Sequence, residues 1–140
     1  MQLAQYIGQK LKSDSVIEIL EQFDMKVIYD FDRLHENTPD SYNSSASAAG
    51  FELRFNESQV LDTIWCYIQP RSGFSPVDQN IVGAPIFENF DDARSYADAS
   101  GVPASRAKDE ESWFRLEHET LWIHYEFSGD RLGLITFMLK

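Results

Sequence analysis

Two short runs of alternating apolar and polar residues, each followed by a turn, constrain the fold of this chain most. Residues 51–55 read Phe-Glu-Leu-Arg-Phe, and a shift of 72 residues lays them over Ile-His-Tyr-Glu-Phe at 123–127. Turn formers follow both runs, at 56–58 and at 128–130. Alternation with a period of two, followed by a tight turn and a second apolar run, is typical of antiparallel hairpins. The sequence therefore predicts two hairpins.

Helix signals precede both predicted hairpins. Residues 15–18, Ser-Val-Ile-Glu, have the form of a capping box, and apolar residues then recur at helical spacing as far as Phe23. A second helix is predicted from about Asp91 to Ser100, because Gly101 stands where a helix C-terminus favours glycine. Each helix is followed by a variable polar segment before its hairpin.

These elements predict one α+β domain spanning residues 1–140. We expect an antiparallel sheet of about six strands with two to three helices, since 140 residues with 43% hydrophobic residues can bury one core. The order helix, strand, strand occurs at 13–69 and again at 89–140, which indicates a tandem α-β-β repeat. Two unrelated helix-and-hairpin segments are the alternative.

The charge of the chain indicates what kind of partner it can bind. Twelve Lys and Arg against 23 Asp and Glu give a formal net charge of −11. Such a charge repels nucleic-acid phosphates and anionic membranes and attracts a basic protein; the alternative is that it serves solubility alone. The absence of a signal-like N-terminus and of a long apolar run predicts cytoplasmic residence, while the oligomeric state stays open.

Sequence motifs for catalysis or for cofactor binding do not stand out. The serines lie in no glycine elbow, the glycines form no phosphate-binding fingerprint, and the histidines and Cys66 lack metal-ligand spacing. Cys66 lies within an apolar run and is predicted to be a buried structural thiol. We therefore expect no enzyme activity, no cofactor and no metal.

Candidate partner-binding residues are acids and aromatics in or near the predicted loops. Carboxylates would complement a basic partner, and amphipathic rings would anchor the interface. The alternative is that the acids are solvated helix starts and turns and that Trp113 belongs to the core. The candidates are Glu36, Asp40, Tyr42, Phe74, Asp109, Glu110, Glu111, Trp113, Glu117 and Glu119.

The second half of the chain, residues 87–140, carries a resemblance to known proteins. The helix residues 92–96, the sequence Gly-Val-Pro at 101–103, Trp113 and the terminal apolar strand at 134–138 resemble immunity proteins of polymorphic toxins of the contact-dependent inhibition type. The helix-plus-hairpin unit is also similar to the module of the β-lactamase inhibitor protein and of small outer-membrane assembly lipoproteins.

The resemblance implies an immunity-type inhibitor that binds and neutralises a toxin, such as a basic nuclease, through an acidic surface. Two alternatives stay open. One is a small-ligand-binding protein or enzyme with a pocket near residues 70–85. The other is a structural or adaptor protein that uses an exposed sheet edge.

Overall fold

The computed structural model describes residues 1–31, 34–108 and 111–140. These residues form two α-helices and eight β-strands, with short 3-10 turns between some of them. The elements are α1 (Asp14–Gln22), β1 (Val27–Asp30), β2 (Ser41–Ala46), β3 (Phe51–Phe55), β4 (Leu61–Tyr67), α2 (Phe90–Ser100), β5 (Ala104–Arg106), β6 (Trp113–Glu117), β7 (Leu121–Ser128) and β8 (Arg131–Leu139). None of the helices in these described ranges is long and apolar enough to cross a membrane.

All eight strands belong to one antiparallel sheet in the order β1-β2-β3-β4-β8-β7-β6-β5. The predicted α+β class and antiparallel sheet are confirmed, but the predicted number of about six strands was too low. The two additional strands are β2 and β5, which lie within the variable polar segments that precede the two predicted hairpins. β2 has the sequence Ser-Tyr-Asn-Ser-Ser-Ala, whose small polar residues give little strand signal, yet it is held between two neighbouring strands.

The element order is the same in the two halves of the chain. A helix followed by a four-stranded meander occurs as α1 with β1 to β4, and again as α2 with β5 to β8. The two meanders join where the last strand of each, β4 and β8, pair with one another. The unit is thus a helix with four strands rather than the expected two, and the tandem repeat in the sequence stays a prediction.

The helix boundaries agree with their sequence signals in one case and shift in the other. α2 ends at Gly101 as predicted, and at its start the Asn89 side chain accepts a hydrogen bond from the Asp92 amide at 3.0 Å. α1 begins at Asp14, before the predicted capping box, and its N-cap residue Ser13 makes no side-chain cap. Ser15 lies inside the helix instead.

Both helices pack on the same face of the sheet. Phe23 at the end of α1 meets Phe51 of β3 edge to face at 5.0 Å, and Phe90 of α2 meets Phe114 of β6 at 5.6 Å. Cross-strand pairing puts Phe51 and Phe114 on this same face, in one row with Cys66. Burial raises the pKa of the Cys66 thiol to about 12, which suits a structural role for this side chain.

The segment between β4 and α2 is irregular apart from a 3-10 turn at Gln79–Ile81, and it folds back onto the end of β4. The Val77 amide donates to the carbonyl of Tyr67 at 2.7 Å, and the Ser75 amide donates to the carbonyl of Ser47 at 2.9 Å. These bonds bring the segment against the buried glycine at position 50.

Candidate functional site

The sheet face opposite the helices carries all three tryptophans of the chain. Strands β3 and β6 alternate strictly between buried residues, which face the helices, and half-buried residues, which face the other way. Cross-strand pairing places the second set on one surface. We call this surface the aromatic face. Its central side chains are Trp65, Tyr67, Trp113, Arg115, Trp122 and His124.

Several side chains of the aromatic face contact one another. Trp113 stacks on His124 with 5.3 Å between ring centroids. The guanidinium of Arg115 lies 4.1 Å from the Trp122 ring and 5.6 Å from the Trp113 ring, within the range of cation–π attraction. Because these contacts already restrict the side chains, they would lose little conformational entropy when a partner binds to them.

The carboxylates on the aromatic face are already engaged within the protein. Glu117 accepts hydrogen bonds from the Ser105 hydroxyl and from Arg115 at 3.3 Å, and these bonds, the one from Ser105 first, lower its pKa. Glu126 pairs with Arg71 at 3.2 Å. The aromatic face is therefore close to charge-balanced, although the whole chain has a formal charge of −11.

A further carboxylate, Glu52 on β3, is engaged in the same way. It accepts a hydrogen bond from the Tyr67 hydroxyl at 3.0 Å, and the Tyr67 ring in turn stacks on Phe74 at 4.2 Å. Burial, followed by this bond to Glu52, raises the pKa of Tyr67 to about 12. Phe74 thus extends the aromatic face beyond the sheet, onto the irregular segment.

Two polar atoms of the aromatic face are buried without a hydrogen-bond partner among the described residues. They are the Nε1 of Trp122 and the Nδ1 of His124, which lie two positions apart on β7. A buried polar atom that lacks a hydrogen bond destabilises a fold by about 1 to 3 kcal/mol. Burial also lowers the pKa of His124, so its imidazole is neutral at pH 7.

The lowered pKa of His124 predicts a loss of stability in acid. The free energy of unfolding should fall between pH 7 and pH 5, because the unfolded chain, with a histidine pKa of about 6.5, binds a proton more readily than the folded one. His124→Phe keeps a ring beside Trp113 and removes the titration. Urea unfolding at pH 5, 6 and 7 should show a smaller decrease in the free energy of unfolding for this variant than for wild type. Equal decreases would contradict the prediction.

The structure brings three of the predicted binding residues together on or beside the aromatic face: Trp113, Glu117 and Phe74. Glu111 and Glu119 are exposed in the loops that precede and follow β6. Trp113 is half-buried on the face away from the helices, so it does not belong to the core.

The remaining predicted binding residues lie elsewhere. Tyr42 is on the helix-bearing face, where it stacks on Tyr29 at 5.0 Å, and the Tyr29 hydroxyl donates to Asp40. Glu36 is exposed in the loop between β1 and β2, where it lines a cleft of about 570 Å³. Asp109 and Glu110 lie outside the described residues.

Sequence reasoning missed several residues of the aromatic face, namely Trp65, Arg115, Trp122 and His124. The signal that could have found them is in β7, where Trp122 and His124 alternate with the buried residues Ile123, Tyr125 and Phe127. Alternate residues of a strand point to opposite faces of the sheet, so large rings at successive positions give the sheet two apolar faces. Only the face that the helices cover belongs to the core.

Metal binding has no candidate cluster in the part of the chain that the structure describes. Residues 1–31, 34–108 and 111–140 contain no group of three or more His, Cys, Asp or Glu placed to hold a metal ion. Cys66 and His124 in particular point to opposite faces of the sheet, because Cys66 is in register with Tyr125 rather than with His124.

Comparison of the chain with protein-family models, with curated proteins and with solved structures gave no match. The resemblance to immunity proteins therefore stays a prediction.

Proposed function

We propose that this chain is an immunity-type inhibitor that neutralises a basic toxin, such as a nuclease, and that the aromatic face anchors the complex. The observation that supports this most is the placement of all three tryptophans on the sheet face away from the helices. The second face of an antiparallel sheet is usually polar when it meets water. Tryptophan and arginine, by contrast, are enriched among the residues that dominate protein–protein binding energy.

The net charge of the chain and the aromatic face would act at different stages of toxin binding. A formal charge of −11 attracts a basic partner over a distance and raises the association rate. The aromatic face then forms the desolvated centre of the interface. Its carboxylates are already paired, and burying a paired carboxylate costs less than burying an unpaired one. Exposed acids such as Glu111 and Glu119 would lie nearer the rim.

The test is co-expression with the product of the gene immediately upstream in the source genome, with cell growth and the dissociation constant as the measurements. The wild-type chain should restore growth and bind the toxin. Trp122→Ala should weaken binding about 30-fold or more, mainly through faster dissociation, because it removes a central ring and the surface on which Arg115 rests. Trp113→Ala should act in the same direction.

Two controls separate the aromatic face from general effects of mutation. Tyr96→Ala removes an exposed ring on α2, on the other side of the molecule, and should leave binding within about threefold of wild type. Glu111→Gln combined with Glu119→Gln should slow association and weaken its salt dependence while leaving dissociation unchanged. A toxin that binds Trp122→Ala as tightly as wild type would exclude the aromatic face as the interface.

A second candidate function is the binding of a small anion beside the irregular segment. A cleft of about 570 Å³ lies at its start and includes Arg71 and Arg131, although Arg71 already pairs with Glu126. The lining residues are Gln69, Pro70, Arg71, Ser128, Arg131 and Gly133. Arg131→Ala should abolish such binding while leaving toxin inhibition intact.

The two halves of the chain are also proposed to descend from a duplication. Support comes from their shared order of one helix and four strands and from the pairing of equivalent last strands, β4 and β8. The first strands of the two predicted hairpins, with the runs 51–55 and 123–127, are the third strands of the two halves, β3 and β7. A duplication would explain how a short unit obtained a sheet broad enough for an interface.

A further inference from the structure

Five exposed apolar side chains lie on the edge strand β1 or just beyond it. Ile28 is 67% exposed and Leu34, just beyond the strand, is 75% exposed, and Val27, Tyr29 and Phe31 are exposed as well. β1 pairs with β2 on one side, and it ends the strand order of the sheet. An apolar edge strand is a template for pairing with another chain, which soluble proteins usually prevent with charge or with very short strands. The opposite edge, β5, is short and polar.

The backbone of β1 presents hydrogen-bonding groups away from the sheet. The Lys26 carbonyl faces β2, because it accepts a hydrogen bond from the Ser44 hydroxyl at 2.8 Å. Across a trans peptide the carbonyl of one residue and the amide of the next point in opposite directions, so the Val27 amide faces outward. Alternation along the strand then turns the amide and carbonyl of Tyr29 outward too.

We propose that two copies of this chain form a dimer by antiparallel pairing of β1 with β1, with Ile28 on the two-fold axis. In this register the outward-facing backbone amide and carbonyl of Val27 lie opposite those of Tyr29 of the second copy, as antiparallel hydrogen bonding requires. Two copies of Ile28 meet at the centre, and Lys26 lies opposite Asp30 of the second copy. All of these side chains are exposed in the single chain.

Charge complementarity selects this register and this partner. Lys26 and Asp30 lie at equal distances on either side of Ile28, so a two-fold axis there creates two opposite-charge pairs at once. A shift of two residues in either direction keeps the backbone pairing possible but places Ile28 opposite a charged residue. The second copy therefore fits this edge with both its apolar and its charged residues.

The dimer joins the two sheets into one, with the aromatic faces on the same side. Ile28 pairs with Asn43 of β2, which pairs with Arg54 of β3, and Arg54 is on the aromatic-face side of the sheet. A two-fold axis perpendicular to the sheet keeps that side common to both copies. This inference is independent of the proposed inhibitor function, since it concerns β1 and not the tryptophans.

Sedimentation equilibrium of the purified chain over a range of concentrations tests the dimer. Wild type should dimerise. Ile28→Lys, which places two ammonium groups side by side on the axis, should be monomeric. Ile17→Lys, a substitution at an exposed position of α1, is the matched control and should dimerise as wild type does. Circular dichroism melting of each variant confirms that it is folded.

A charge swap tests the register. Lys26→Asp should weaken the dimer about tenfold, because it replaces both opposite-charge pairs across the axis with pairs of two aspartates. Combining Lys26→Asp with Asp30→Lys should restore wild-type affinity, since the opposite-charge pairs form again with their signs reversed. A wild-type chain that stays monomeric, or a double variant that is no tighter than the single one, would overturn the proposal, as would a dimer insensitive to Ile28→Lys.

Discussion

Replacing Gly50 with alanine is expected to destabilise the fold by about 3 to 5 kcal/mol or to prevent folding altogether. Gly50 has a φ of +78°, and a Cβ there would lie 2.3 Å from the Ser75 carbonyl oxygen and 2.5 Å from the Val77 nitrogen. These are backbone atoms of the irregular segment, held in place by hydrogen bonds to Tyr67 and Ser47. They cannot move aside as a flexible side chain would.

The matched control is Gly73→Ala. Gly73 has a similar φ of +86°, but a Cβ there would meet no heavy atom of the described residues within 4 Å. Gly73→Ala should lower the free energy of unfolding by about 1 kcal/mol, which is the cost of placing alanine in the left-handed backbone conformation. Urea unfolding of both variants measures the difference. Equal losses of stability would mean that the irregular segment does not approach Gly50 this closely.

Phe90→Ala is expected to lower the free energy of unfolding by about 3 to 5 kcal/mol. The Phe90 side chain is 2% exposed and meets Phe114 at 5.6 Å and Phe127 at 5.8 Å, so it ties the first turn of α2 to strands β6 and β7. Truncation leaves a cavity between the helix and the sheet, because the rings around it cannot close the gap.

Phe74→Ala provides the comparison for Phe90→Ala. Phe74 also stacks on another ring, that of Tyr67, but it is half-buried at the surface. Its truncation should cost about 1 to 2 kcal/mol. Chemical denaturation should show a clearly larger loss in the free energy of unfolding for Phe90→Ala than for Phe74→Ala. A loss for Phe90→Ala no greater than that for Phe74→Ala would show that α2 is not anchored through Phe90.

The parts of the fold that sequence reasoning predicted are those with local signals. Residues 51–55 of β3 and 123–127 of β7 alternate in burial, and α2 has a capping residue at one end and Gly101 at the other. β2 was missed because its stability depends on neighbours on both sides rather than on its own residues. The pairing of β4 with β8 has no local signal at all, since it joins distant parts of the chain.

The candidate site was predicted less completely than the fold. Loop residues were favoured as anchors because loops carry many binding sites. The tryptophans instead lie on strands, and two of them, Trp65 and Trp122, resemble core residues when the sequence is read along one strand at a time. Trp113 was identified for its aromatic character, but its neighbours on the aromatic face come from other strands, and sequence spacing does not give their register.

The seam between β4 and β8 has a consequence for how the chain folds. Within each meander every strand pairs with one adjacent in sequence, so those contacts close short loops at small entropic cost. The seam joins residues as distant as Thr63 and Met138. Long-range pairing slows folding, so the barrier is expected to lie at the joining of two preformed meanders. Substitutions in the seam would then change both the stability of the sheet and the rate at which it forms.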